Sequence, residues 1–95
     1  MTRFWTGRRP GLRYSVRIKS SASKAIGKLD AKTRRRIVER IDTLAEHPTS
    51  GSRLKGEFEG LRRLREGDYR IIYELRRKEI TVLVLRVGHR RDVYR

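Results

Sequence analysis

Two short connections constrain this chain more than any other feature in it. Three runs, Leu61–Arg65, Tyr69–Leu75 and Ile80–Val87, follow one another, separated only by Glu66-Gly67-Asp68 and by Arg76–Glu79. The last two runs are rich in β-branched and aromatic residues, which suit a pleated, half-buried surface. Connections this short join antiparallel neighbours, because a parallel pair needs a crossover of a dozen or more residues. The second half of the chain is therefore expected to form a three-stranded antiparallel meander.

Upstream, the period changes twice. From Leu12 to Lys19, Leu12, Tyr14, Val16 and Ile18 alternate with Arg13, Ser15, Arg17 and Lys19, the pattern of a half-buried strand. Ser20 is placed to cap a short helix with Ala22, Ala25, Ile26 and Leu29 on one stripe. Asp30 is expected to cap a second, longer helix, its carboxylate accepting from the amides of the first turn. Ile37, Val38, Ile41, Leu44 and Ala45 form the stripe of that helix, and His47-Pro48 ends it, since the residue before proline avoids the helical region. The near-absence of a loop between them predicts an antiparallel helical hairpin. Residues 49–60 read as a loop. Residues 1–11 show no periodicity and are expected to be a flexible N-terminal extension to a single domain over 12–95.

The expected fold class is thus α+β: an N-terminal strand, a two-helix hairpin and the meander (βααβββ), with both helices on one face of the sheet. Period two then sorts the strand residues. Leu64, with Arg62 snorkelling from beside it, Tyr69, Ile71, Tyr73, Leu75, Leu83, Leu85 and Val87 are expected under the helices. The opposite face is expected to show Leu61, Ile72, Glu74, Val82 and Val84 together with Arg63, Arg65, Arg70, Arg86 and Arg90. Arginines gathered on one face repel one another, and a bound anion relieves that cost.

Composition agrees with an anionic partner. Lys and Arg total 26 against 11 Asp and Glu, a formal net charge of +15. A disordered polycation is not expected, because apolar periodicity runs through residues 12–88. The chain has no cysteine, which excludes disulfides and thiol chemistry, and only two histidines, so no metal centre or cofactor is expected. No apolar run is long enough to cross a membrane, and the N-terminus lacks a signal-peptide core, so a cytoplasmic location is expected.

Residues Leu54-Lys55-Gly56, the segment LRRLREGDYRIIY over 61–73 and the tail VGHRRDVYR over 87–95 resemble the RelE/ParE toxin superfamily, RelE-like branch, and the resemblance extends over residues 12–95. It implies the toxin of a type II toxin–antitoxin pair. The RelE branch cuts messenger RNA in the ribosomal A site; the ParE branch inhibits DNA gyrase. The RelE-type site corresponds here to Arg63, Arg70, Arg90 and Tyr94. One departure is Leu61, where RelE-like enzymes often carry a further lysine; Arg65 shares that strand face. The family also implies a RelB-like antitoxin with an acidic or amphipathic C-terminal segment, drawn to so basic a face.

The implied reaction needs no metal. RNA supplies its own nucleophile, the 2′-hydroxyl beside the scissile phosphate. That hydroxyl must lose a proton, a dianionic phosphorane must be stabilised, and the leaving 5′-oxygen must be protonated. On this reading Tyr94 is the general base, its pKa lowered from about 10 by nearby cations. Arg63 and Arg70 clamp the phosphate, and Arg90 stabilises charge at the leaving group. His89 is a further candidate acid or base, although alternation puts it on the helix side. Arg34, Arg35, Arg36, Lys55 and Arg86 are expected to contact RNA, the helical run being equally readable as a solvated face. Tyr69 and Tyr73 are read as packing residues, and His47 as a helix-end residue. The competing readings are a ParE-like gyrase inhibitor and a non-enzymatic basic RNA- or ribosome-binding module.

Overall fold

The computed structural model describes the backbone of residues 3–5 and residues 14–89. Along the chain come β1 (Arg3–Trp5), β2 (Ser15–Ile18), α1 (Ser20–Gly27), α2 (Ala31–Thr43), β3 (Ser52–Arg53), β4 (Leu61–Glu66), β5 (Tyr69–Arg76) and β6 (Thr81–His89). All six strands share one sheet, in the order β1-β2-β6-β5-β4-β3. The meander β4-β5-β6 is antiparallel, as the short turns require. Gly67 makes the first turn possible with a φ of 59°, a left-handed conformation that costs glycine little.

Two strands and one pairing go beyond the expected set. Arg3–Trp5, in the segment read as an extension without structure, pairs antiparallel with β2. Ser52–Arg53, inside the expected loop, pairs with β4 as a short edge. In addition, β2 and β6 are parallel neighbours, Val16 facing Val82 and Ile18 facing Val84. Local periodicity carries no information about which strands become neighbours, so this closure was not expected. Leu12 and Arg13 of the expected first strand lie outside the described residues.

Both helices lie over one face. Ala22 and Ile26 of α1 and Ile37 and Ile41 of α2, followed by Leu44 and Ala45, pack on Val16, Ile18, Leu64, Ile71, Tyr73, Val82, Val84 and Val87. The Asp30 cap is present: its Oδ2 accepts from the Thr33 amide at 3.3 Å. Hydrogen bonding from Thr33 holds the Asp30 carboxyl below its ordinary pKa. Ser20, by contrast, is the first residue of α1. The cap position falls to Lys19, with no side-chain hydrogen bond.

The chain after α2 is tied down by two side chains of the sheet. The hydroxyl of fully buried Tyr73 donates to the Pro48 carbonyl at 2.6 Å and accepts from the Gly51 amide at 3.0 Å. Arg62 lies on the helix side beside Tyr73 and donates from Nη1 to the Gly51 carbonyl at 2.8 Å. Its guanidinium thus finds backbone acceptors at the sheet's margin, consistent with an arginine placed on the core-facing side.

The largest correction falls on β6. Ile72 pairs with Arg86, but Tyr73 pairs with Val84, so Leu85 is the extra residue of a β-bulge. Strict alternation puts Leu83 and Leu85 in the core and leaves Val82 and Val84 outside with Arg86. The bulge reverses the phase: Val82 and Val84 are fully buried under the helices, and Leu83 and Leu85 are only partly covered. Arg86 and Val87, beyond the bulge, keep their expected faces.

Candidate nucleic-acid interface

The open face of the sheet can be described in rows, because cross-strand partners point the same way. One row contains Arg65 of β4, Arg70 of β5 and Gly88 of β6. The next contains Arg63, Ile72 and Arg86, with Ser52 of β3 opposite Arg63. The third contains Leu61, Glu74 and Leu83, with Arg17 of β2 opposite Leu83. Arg63, Arg65, Arg70 and Arg86 therefore occupy two adjacent rows on the face that neither helix covers. Arg90 and Tyr94 lie outside the described residues.

Ile72 sits at the centre of this arrangement. It is only 2% exposed although it lies on the open face, flanked by Arg63 and Arg86. An apolar residue between two guanidinium groups lowers the local dielectric, which strengthens their attraction for an anion. Glycine at position 88, opposite Arg70, leaves the arginine row without a side chain on β6. A tetrahedral anion over Ile72 would meet donors from both flanking strands. Such paired donors suit the stabilisation of a phosphate that gains charge during a reaction.

The remaining site candidates disperse. His89 is opposite Tyr69 on the helix side, its ring edge-on to the tyrosine at 5.8 Å. Tyr69 in turn is opposite Glu66, which pairs with Arg40 of α2 at 3.5 Å. His89 thus belongs to a row that joins the sheet to α2, on the other face from Arg70 and Arg86. Arg34 is used within the fold: its Nη1 lies 3.4 Å from the carbonyl oxygens of both Gly27 and Leu29, where α1 ends. Arg35 and Arg36 are exposed on α2, and Lys55 is exposed in the loop before β4.

Two residues of the open face were not singled out from the sequence. Arg17 was assigned correctly to the outer side of its strand, but its place beside Leu83 depends on the parallel pairing. Glu74 lies among the arginines, and its Oε1 accepts from Nε of Arg76 at 2.8 Å. This bond, with the charge of Glu74 and then of Glu79, raises the pKa of Arg76 above its ordinary value. Alternation already put Glu74 on this face; its acidity among so many cations was the unused signal. Among the described residues no cluster of His, Asp and Glu side chains is arranged to hold a metal ion. No described helix is long and apolar enough to cross a membrane.

Comparison with known proteins agrees with this geometry. Residues 16–94 match the family described as the ParE toxin of the type II toxin–antitoxin system parDE. The chain is 34% identical over 84 residues to Toxin RelG of Mycobacterium tuberculosis, covering 86% of this chain and 97% of that one. In structure it is similar to a chain of the RelBE toxin–antitoxin complex of M. tuberculosis, with a TM-score of 0.77 and 31% identity over 82% of this chain and 99% of the other. It is also similar to a chain of the archaeal RelE–RelB complex of Pyrococcus horikoshii, with a TM-score of 0.70 and 28% identity over 86% of this chain and all of that one.

Proposed function

We propose a reaction for this chain, which belongs to the RelE/ParE family and is the toxin of a type II toxin–antitoxin system: it cuts messenger RNA in the A site of the translating ribosome. The observation that carries this reading is the pair of arginine rows, Arg65 with Arg70 and Arg63 with Arg86, on the face the helices leave open. The 2′-hydroxyl of the RNA attacks the adjacent phosphorus, and the bond to the 5′-oxygen of the next nucleotide breaks. Arg63 and Arg70 hold the phosphate and stabilise the phosphorane. Tyr94 takes the 2′-hydroxyl proton, and Arg90 stabilises charge on the departing 5′-oxygen, which takes its proton from water. No step of this scheme requires a metal ion. A partner antitoxin, RelB-like with an acidic or amphipathic C-terminal segment, keeps the toxin inactive by covering the basic face. Arg35, Arg36 and Lys55 contribute to ribosome docking through phosphate contacts, which makes binding salt-dependent.

Primer extension on messages in translating ribosomes tests the reading. Cuts in register with codons are expected, and Tyr94→Phe is expected to remove most of them. Steady-state cleavage by Tyr94→Phe equal to wild type would sink the base assignment. The match to the ParE description favours one second reading, inhibition of DNA gyrase. Intact messages together with a supercoiling defect would establish it in place of cleavage.

A further inference from the structure

A cavity of about 310 Å³ opens between β3, β4 and the end of β5, on the opposite face of the sheet from the arginine rows. Arg53 of β3 and Arg62 of β4 are cross-strand partners in its wall, and Arg77 reaches it from just beyond β5. Leu54 and Leu75 add apolar surface, and Glu59 is the one carboxylate among the described lining residues. Three guanidiniums against one carboxylate leave an excess of positive charge. Arg53 and Arg77 are exposed, and among the described residues neither has an ion-pair partner. Arg62 is held in place, its Nη1 donating to the carbonyls of Gly51 at 2.8 Å and Thr49 at 3.4 Å. Its Nε and Nη2 carry three further N–H donors. A guanidinium already fixed by the backbone loses little freedom when it takes an anion.

We propose that this cavity is a nucleotide site, separate from the arginine rows of the open face. The phosphate lies on Arg53, Arg62 and Arg77, and the base lies against Leu54 and Leu75. The charge calls for an anion, and the forked donors of arginine match phosphate oxygens. The space is larger than a phosphate group fills, and beside a bare ion the two leucines would stay in water. A base covers them, as apolar walls with a few placed polar groups commonly do for a small ligand. Glu59 can only accept, so the ligand must bring donors as well as charge. The ribose hydroxyls and the exocyclic amino groups of a nucleotide supply them. A run of acidic side chains would instead set further carboxylates against Glu59. Neighbouring residues of β4 point to opposite faces, Arg62 to this cavity and Arg63 to the open face, so the assignment is independent of the reaction proposed above.

Amide NMR titrations of the full-length chain, read at Leu54 and Leu75, test the site. The probes are the four nucleoside 5′-monophosphates, inorganic phosphate, a hexaglutamate peptide and a tetranucleotide methylated at every 2′-oxygen, which cannot be cleaved. At least one mononucleotide is expected to shift both amides saturably, and to bind more tightly than phosphate. Arg53→Ala and Arg77→Ala are each expected to weaken it about tenfold, the scale of one charged hydrogen bond. Both side chains are exposed, so the fold is kept. Arg63→Ala is expected to leave this binding as it is. A tetranucleotide that binds more tightly than the mononucleotides assigns the site to an RNA strand; one that does not assigns it to a free nucleotide. Either result upholds the site. It is overturned if no mononucleotide shifts these amides, or if phosphate binds as tightly as the best of them. It is also overturned if hexaglutamate binds more tightly than every nucleotide, if either arginine substitution leaves the affinity unchanged, or if Arg63→Ala abolishes the binding.

Discussion

Arg86 lies directly opposite Ile72, yet one residue further along β5 Tyr73 lies opposite Val84. Leu85 is the residue without a partner, and the strand turns about it. The bulge puts two valines in the core and an arginine on the open face within five residues, a combination that regular pairing cannot achieve. Bulges also sharpen local twist and re-aim the side chains beside them. Deletion of Leu85 leaves Tyr73–Val84 and Ile72–Arg86 as consecutive regular pairs, so the faces are kept while the twist is lost. Thermal melting is expected to remain cooperative, with cleavage reduced about 10- to 100-fold by the displaced guanidinium. Melting and a single-turnover cleavage assay on the same preparation check both halves.

Arg63→Ala and Arg70→Ala should separate activity from stability. On the nuclease reading proposed above, each removes a donor to the phosphorane, and one such donor is worth about 10²–10³ in rate. Neither side chain belongs to the core cluster. Both are half-buried, so a stability change of about 1 kcal/mol or less is expected, the scale of an ordinary point substitution outside the core. Ribosome-dependent cleavage and urea unfolding, measured side by side, test this; a large loss of stability would count against a functional role.

Much of this organisation follows from local pattern, and the exceptions have physical causes. Asp30 was recognisable because a cap acts within three residues, and the 3.6-residue stripe of Ile37, Ile41 and Leu44 needed only its own spacing. Arg63, Arg65 and Arg70 follow from a tight turn that fixes register. Val82 and Val84 were misassigned because alternation cannot register a bulge, which depends on the opposite strand. Arg17 joins the open face through pairing with a strand at the other end of the chain. Ser20 lost the cap position because the backbone is already helical there, with Lys19 at the boundary.

Tyr73→Phe should weaken the join between the sheet and the loop after α2. The phenol satisfies both the Pro48 carbonyl and the amide of buried Gly51. Without it the amide is left unpaired, at a cost of about 1–3 kcal/mol. The same group sets an alkaline limit. Burial, first among its influences, raises the Tyr73 pKa above its ordinary value of 10.0. The neutral phenol is favoured in the folded state, so its stabilisation is complete below the unfolded pKa and is lost as pH rises through the folded one. Wild-type stability is expected to decline above about pH 10, and Tyr73→Phe to start lower and decline less steeply. Denaturant midpoints from pH 8 to 11 provide the comparison.

Gly51 and Gly27 should respond in opposite ways to alanine. A Cβ at Gly51 would lie 2.8 Å from the Arg63 carbonyl oxygen and equally close to the Tyr73 ring and hydroxyl. Those atoms belong to a paired strand and a buried side chain, so Gly51→Ala is expected to destabilise by about 1–3 kcal/mol. A Cβ at Gly27, in the last turn of α1, meets nothing within 4 Å. Gly27→Ala is expected to stabilise by about 0.4–1 kcal/mol, because it restricts the unfolded chain. Paired melting curves decide the signs.

The parallel contact between β2 and β6 also orders events in time. Ser15 cannot meet Thr81 until all the residues between them have been translated, and at about 5–20 residues per second several seconds separate the two. Pairing between segments so distant in the chain is slow in any case. Val16 and Ile18 remain without their neighbours Val82 and Val84 throughout elongation, and Arg86 reaches the other arginines last. On the nuclease reading proposed above, a nascent chain is unarmed until β6 has been made, because its arginine face is unfinished until then.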